Sequence, residues 1–183
     1  MNRTLLVPMI LCTQVLFAQP GPGKVEVSLS GSLQSISTGS SKASTNILIV
    51  PRIGFFPVAG LEIEPEAIFL KPEEGEITYV LNGNVSYNFV NPGKAVPFLL
   101  AGYGISNTIP LFNVPLVRYD FTVGVLNLGG GIKAMLAENV AVRIEYRFQK
   151  FTGEKQVPVS YGSYVEKADT KMHTFQFGFS VFL

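Results

Sequence analysis

The sequence predicts an all-β fold: an eight-stranded antiparallel transmembrane up-and-down β-barrel. Three observations carry this prediction. Apolar and polar residues alternate with period two from Lys24 to the C-terminus. No segment of that stretch sustains the 3.6-residue period of an amphipathic helix. The alternating runs number eight, and the connections between them are unequal in length. In a strand, successive side chains point to opposite faces, so this pattern makes a ribbon with one greasy and one polar face.

The 183-residue chain fits one domain, and its 15% charged residues fall below the roughly 25% of ordinary soluble domains. The 14 Lys+Arg and 13 Asp+Glu nearly cancel. That balance argues against nucleic acid as a partner, because phosphate binding needs a basic face.

Taken in order, residues 1–18 read as a secretory signal peptide. Arg3 precedes an apolar run from Leu5 to Ala18, and Pro8 and Gln14 interrupt it short of the ~20 apolar residues a spanning helix needs. Ala18 offers a small residue for cleavage, which leaves 19–183 as the barrel domain. Cys12, the only cysteine, would leave with the signal, so no disulfide or thiolate metal site is expected.

Strands are expected near 24–36, 45–56, 61–70, 77–89, 96–106, 121–136, 140–151 and 170–183. In the first, Val25, Val27, Leu29, Gly31 and Leu33 oppose Glu26, Ser28, Ser30, Ser32 and Gln34. In the seventh, Val140, Val142, Ile144, Tyr146 and Phe148 oppose Ala141, Arg143, Glu145, Arg147 and Gln149. In the last, Phe175, Phe177, Phe179, Val181 and Leu183 oppose Thr174, Gln176, Gly178 and Ser180. The odd-numbered links, including 107–120 and 152–169, read as the longer ones. Short turns at one rim and long loops at the other are the habit of outer-membrane barrels.

Which face meets lipid follows from the polar set. It is rich in Ser, Gly, Asn and Thr, which suit the crowded inside of an eight-stranded barrel. The greasy face carries Phe55, Tyr79, Tyr87, Phe89, Tyr103, Tyr146 and Phe148, aromatics suited to interfacial girdles. A soluble sandwich or a lipocalin-like carrier would also alternate, but a water-facing sheet more often carries Lys and Glu.

Charge location tests the phase, since Arg or Lys facing lipid at mid-depth costs about 2–4 kcal/mol. Arg52, Glu62, Glu64, Glu66, Lys133, Arg143, Glu145 and Arg147 are therefore expected in the lumen. Two clusters are expected: Arg52 with the Glu62, Glu64, Glu66 ladder and Glu26 nearby, and Lys133 with Arg143, Glu145 and Arg147. A gate or an ion path would use such charges; the plainer reading is a paired plug. Pro51 and Pro65 fall inside strands of a closed barrel, and one shared bulge is expected to absorb both.

The runs Asn127 to Lys133, NLGGGIK, and Glu138 to Phe148, ENVAVRIEYRF, resemble the outer-membrane protein β-barrel domain family, which includes OmpA membrane-domain-like and OmpX-like small barrels. Pro97 to Gly104, PFLLAGYG, is similar to that family's Gly-rich fifth strand. The terminal Phe175, Phe177, Phe179, Val181 and Leu183 resemble its assembly signal, although such barrels usually end on an aromatic. The resemblance implies insertion in the outer membrane by the barrel-assembly machinery, contact with outer-membrane lipids and lipopolysaccharide, and, as for many members, no enzymatic activity.

The sequence offers little that could carry chemistry. His173 could be a base only beside a serine nucleophile and an orienting acid, and no His-x-Ser pairing exists on its strand. The glycines at 129–131 precede no helix that could hold a phosphate; they read as relief of crowding. No His or Cys cluster suits a transition metal, no loop has calcium-site spacing, and no cofactor is expected. Three roles stay open: a structural or interaction barrel acting through loops that carry Tyr119, Tyr161 and Tyr164, with an extracellular ligand undefined; passage of small apolar molecules, suggested by Ile109 to Val117; and lipid modification through His173.

Overall fold

The computed structural model describes residues 21–36, 44–71, 78–108, 118–159 and 162–183. The signal-peptide reading, Cys12, the Ile109 to Val117 run and Tyr161 lie outside them. The described chain forms β1 (Val25–Ile36), β2 (Ser44–Val58), β3 (Leu61–Lys71), β4 (Thr78–Asn88), β5 (Ala95–Thr108), β6 (Arg118–Ala137), β7 (Val140–Val159) and β8 (Gly162–Phe182). Each pairs antiparallel with its neighbours, and β1 with β8 closes the barrel.

The alternation sets the phase throughout. Val27, Leu29, Phe55, Ile63, Val85, Leu99, Leu128, Ile144, Phe175, Phe177 and Phe179 project outward and are exposed. Their inward neighbours, among them Glu26, Ser28, Arg52, Glu62, Asn84, Asn127, Arg143 and Gln176, are buried. A wall this greasy is incompatible with water on its outside, which removes the carrier reading. No helix among the described residues is long and apolar enough to cross a membrane.

At the turn end, β2–β3 is joined through Ala59–Gly60 and β6–β7 through Glu138–Asn139, while 89–94 link β4 to β5. Gly60 has φ +80°, and a Cβ there would stand 2.6 Å from the Asn88 carbonyl oxygen. Glycine is required on both counts. In the longer link Asn91 ties the turn together, its Nδ2 donating to the Ala95 carbonyl at 2.8 Å and its Oδ1 accepting from Gly93 N–H.

Two expectations are corrected. Residues 152–169 do not form a long loop. β7 and β8 stay paired in one register from Val140↔Val181 to Val159↔Gly162, with Tyr164 inside β8; Tyr119 lies in β6. The register sets Glu154 opposite Lys167, whose side chains come within 3.8 Å. The paired hairpin thus runs on to Val159 and Gly162.

The prolines are accommodated without the expected bulge. The β2–β3 register is the same at Ile49↔Phe69, Arg52↔Glu66 and Phe55↔Ile63, and shifts only between Phe55 and Val58, beside the turn. Phe56 N–H donates to Lys24 O, so even-numbered residues of β2 bond β1 and odd-numbered ones bond β3. The N–H groups missing at Pro51 and Pro65 thus both fall on the β2–β3 seam, where they would have met Ala67 and Ile53. Both other ladders run unbroken, with Leu29↔Pro51 and Pro65↔Gly83 in register.

Replacing Gly60 by alanine is expected to cost about 1–3 kcal/mol, since the strained φ and the contact with Asn88 both remain. Urea unfolding in lipid vesicles measures it.

Candidate functional site

The lumen is stratified, and the strata follow from which inward residues lie near which strand ends. At the turn end Phe56, Met135, Ala141 and Phe182 form an apolar floor. Toward the opposite rim Leu48, Val50, Ile68, Val80, Val123, Val125, Phe151 and Met172 form a second apolar layer. Between them lies a belt of charge.

All eight residues expected inside are buried there, joined by Glu26. Instead of the two expected clusters they make one network across the lumen, because β3 and β7 face each other over a narrow interior. Lys133 Nζ donates to Glu26 at 2.5 Å and Glu62 at 2.8 Å, and it lies 5.5 Å from the Phe56 ring centre and 5.3 Å from that of Phe98. Arg143 reaches Glu64 at 2.5 Å and Glu145 at 2.8 Å. Arg147 joins Glu145 at 2.5 Å and also pairs with Glu66. Arg52 Nε donates to Glu66 at 2.7 Å, its Nη1 donates to Ser30 Oγ at 2.7 Å, and its Nη2 donates to Gln176.

Glycine makes room for this. A side chain at Gly54 would collide with the Glu62 carboxylate, and one at Gly131 with the Ile144 carbonyl. Gly131 faces the lumen, which accords with reading the glycine run as relief of crowding.

Polar residues not singled out from the sequence complete the belt. Ser180 Oγ donates to Glu26 at 2.6 Å, Asn82 Nδ2 to Glu66 at 2.7 Å and Ser86 Oγ to Glu62 at 2.8 Å. Above it Gln149 Nε2 donates to Asn127 Oδ1 at 2.6 Å. Both amide atoms of Asn84, Glu62 Oε1 and Asn88 Oδ1 have no protein partner. Buried polar atoms of this kind are ordinarily met by water. The chemistry available is therefore that of an ionic plug, capped by apolar layers above and below.

His173 lies elsewhere. It is on the outward face, and its Nδ1 is 2.6 Å from the Tyr146 hydroxyl. Its hydrogen-bond partner is thus a phenol, not the serine or acid a hydrolytic base needs. No group of three or more His, Cys, Asp or Glu residues that could hold a metal occurs among the described residues. The terminal Phe175, Phe177, Phe179, Val181 and Leu183 form one outward-facing row at the closing seam.

Comparison with known proteins agrees with this geometry. The family model described as "Outer membrane protein beta-barrel domain" matches residues 5–181. The N-terminal β-barrel domain of Pseudomonas aeruginosa OprF is similar in fold, with TM-score 0.59 and 17% identity, over 89% of this chain and 99% of that one. Neisserial surface protein A gives TM-score 0.59 and 14% identity, over 86% and 95%. No curated protein matches the sequence.

A buried ion pair broken on one side costs far more than an exposed one. Lys133→Met, which leaves Glu62 without its cation and Glu26 with only Arg143 at 3.5 Å, is expected to lose about 3–5 kcal/mol. Lys167→Met, which removes a contact of 3.8 Å between side chains about 70% exposed, should shift stability by no more than about 0.5 kcal/mol. Urea titration of both variants measures the contrast.

Proposed function

The chain belongs to the outer membrane protein β-barrel domain family, and from that premise we propose that it is a sealed structural or interaction barrel without catalytic activity. The observation that carries this reading is the lumen's stratification. A path along the axis would have to cross two packed apolar layers and a belt whose arginines and lysine are all held by carboxylates. Closed apolar constrictions resist water, and paired charges leave no free cation or anion site to attract a permeant ion.

The orientation follows the usual habit of such barrels, short turns in the periplasm and longer connections outside. The β7–β8 hairpin is then an extracellular feature that reaches far beyond the membrane wall. Beyond Lys150 and Lys171 it continues to Val159 and Gly162, on the order of 30 Å of extended strand. Two paired strands of this length offer a surface for contact with molecules outside the cell. Such a stalk is well placed for an interaction role, and the membrane wall below serves to anchor it.

Outer-membrane location is tested by fractionation with electrophoresis of boiled and unboiled samples. A folded barrel migrates differently before boiling, and a soluble periplasmic protein without a shift contradicts the reading. The sealed lumen is tested in planar lipid bilayers. The wild-type protein is expected to give no discrete conductance steps. Steps of the size produced by a water-filled pore would overturn the plug.

A further inference from the structure

The outward faces of β7 and β8 form a ladder whose chemistry changes with height. By register, Ile144 stands opposite Phe177, Tyr146 opposite Phe175, Phe148 opposite His173 and Lys150 opposite Lys171. From Leu183 to His173 is 11 residues, the ~9–11 that a tilted strand uses to cross the hydrocarbon. Lys171 therefore emerges just above it, and so does Lys150, directly beside it. Like charges opposite each other on a sheet repel. Asp169, 3.9 Å from Lys150, offsets part of that charge, while Lys171 has no ion pair among the described residues.

Three more observations converge on the spot. Tyr146 and His173 are hydrogen-bonded at 2.6 Å; with the phenol O–H donating to Nδ1, the neutral ring keeps its N–H on Nε2, free to donate. The aromatic rings below are in contact, Tyr146 with Phe175 and Phe148 with His173 at centroid distances of 5.1 Å. In addition, the β1–β8 ladder ends at Gly31↔Phe177. Val25 and Leu183 exchange backbone bonds across this seam, so odd-numbered residues of β8 point their N–H groups toward β1. At Phe175, His173 and Lys171 those groups lie beyond the end of the ladder.

We propose that this strip is a binding site for the phosphomonoester headgroup of an outer-leaflet glycolipid of the lipid A class. Lys150 and Lys171 meet the phosphate, His173 Nε2–H donates to it or to a sugar hydroxyl, and the acyl chains lie along Phe148, Phe175 and Phe177. Two adjacent lysines, of which only Lys150 has a carboxylate nearby and at a long 3.9 Å, favour a phosphomonoester: it carries about −1.5 to −2 charge at neutral pH, against −1 for the phosphodiester of an ordinary phospholipid. The site rests on the outer-membrane reading and deepens it by naming a lipid and the residues that hold it.

The test is native mass spectrometry of protein extracted from nanodiscs of phosphatidylcholine doped with phosphorylated lipid A, dephosphorylated lipid A or phosphatidylglycerol. Wild type is expected to retain phosphorylated lipid A, with retention falling at least about tenfold for the dephosphorylated form and for the K150Q/K171Q double variant. K71Q is the control, because Lys71 also ends an 11-residue outward run, Leu61 to Lys71, but on another strand; it should retain lipid A like wild type. The proposal is overturned if the double variant binds as wild type does, if K71Q loses lipid equally, or if phosphatidylglycerol or dephosphorylated lipid A is retained as well as the phosphorylated form. The last comparison uses wild type alone, so it decides even if a variant fails to fold. Migration before and after boiling reports the barrel separately from the site.

Discussion

Everything in this molecule depends on the requirement that backbone N–H and C=O groups find partners where water is absent. In hydrocarbon an unpaired peptide group costs several kcal/mol, so a spanning sheet must close on itself. Closure confines alternate side chains in a narrow cylinder, and it is there that the charges of β2, β3, β6 and β7 must settle. They do so as a single belt, because an isolated charge in that space would be prohibitive while one held by two or three opposite partners is tolerable. The ionic network is a consequence of closure, and it then holds the opposing walls at a fixed separation.

The same logic explains where the barrel tolerates imperfection. Pro51 and Pro65 remove two donors from one seam, and between them sits the Arg52↔Glu66 pair, whose side chains join at 2.7 Å on the lumen side. A charge-assisted hydrogen bond of this kind is about twice as strong as a neutral one. It spans the seam where the ladder is thinnest. At the β1–β8 seam the ladder instead stops early, at Gly31↔Phe177, below His173 and Lys171 of β8.

Most of the fold was legible because period two and charge placement constrain each other. Once Arg143 and Arg147 are turned inward, every residue of β7 has its face assigned, and β8 follows from its aromatic row. What sequence reading missed has physical causes. Residues 152–169 look like a loop in isolation, and only their mutual register reveals that Glu154 and Lys167 face each other. The belt divides into two groups along the chain but becomes one in space, since sequence proximity does not show that Arg143 lies across the lumen from Glu64. The apolar layers left a faint trace: Ile47 to Val50 is apolar at every position, which places Leu48 and Val50 inside. Phe56, beside outward Phe55, carries the same signal at the turn end. Nothing local marked Gln176 or Asn82 as partners of the belt.

The central claim is that the outer face of this wall meets lipid and the inner face holds a sealed, paired interior. Single cysteines placed along β8 from Thr174 to Val181, with Cys12 replaced by alanine and each carrying a nitroxide label, test it residue by residue in lipid vesicles. Labels at Phe175, Phe177, Phe179 and Val181 are predicted to be relaxed strongly by lipid-soluble oxygen. Those at Thr174, Gln176 and Ser180 should be shielded both from oxygen and from a water-soluble relaxant. Relaxation by the water-soluble agent on the aromatic face, or the loss of alternation along the strand, would contradict the account.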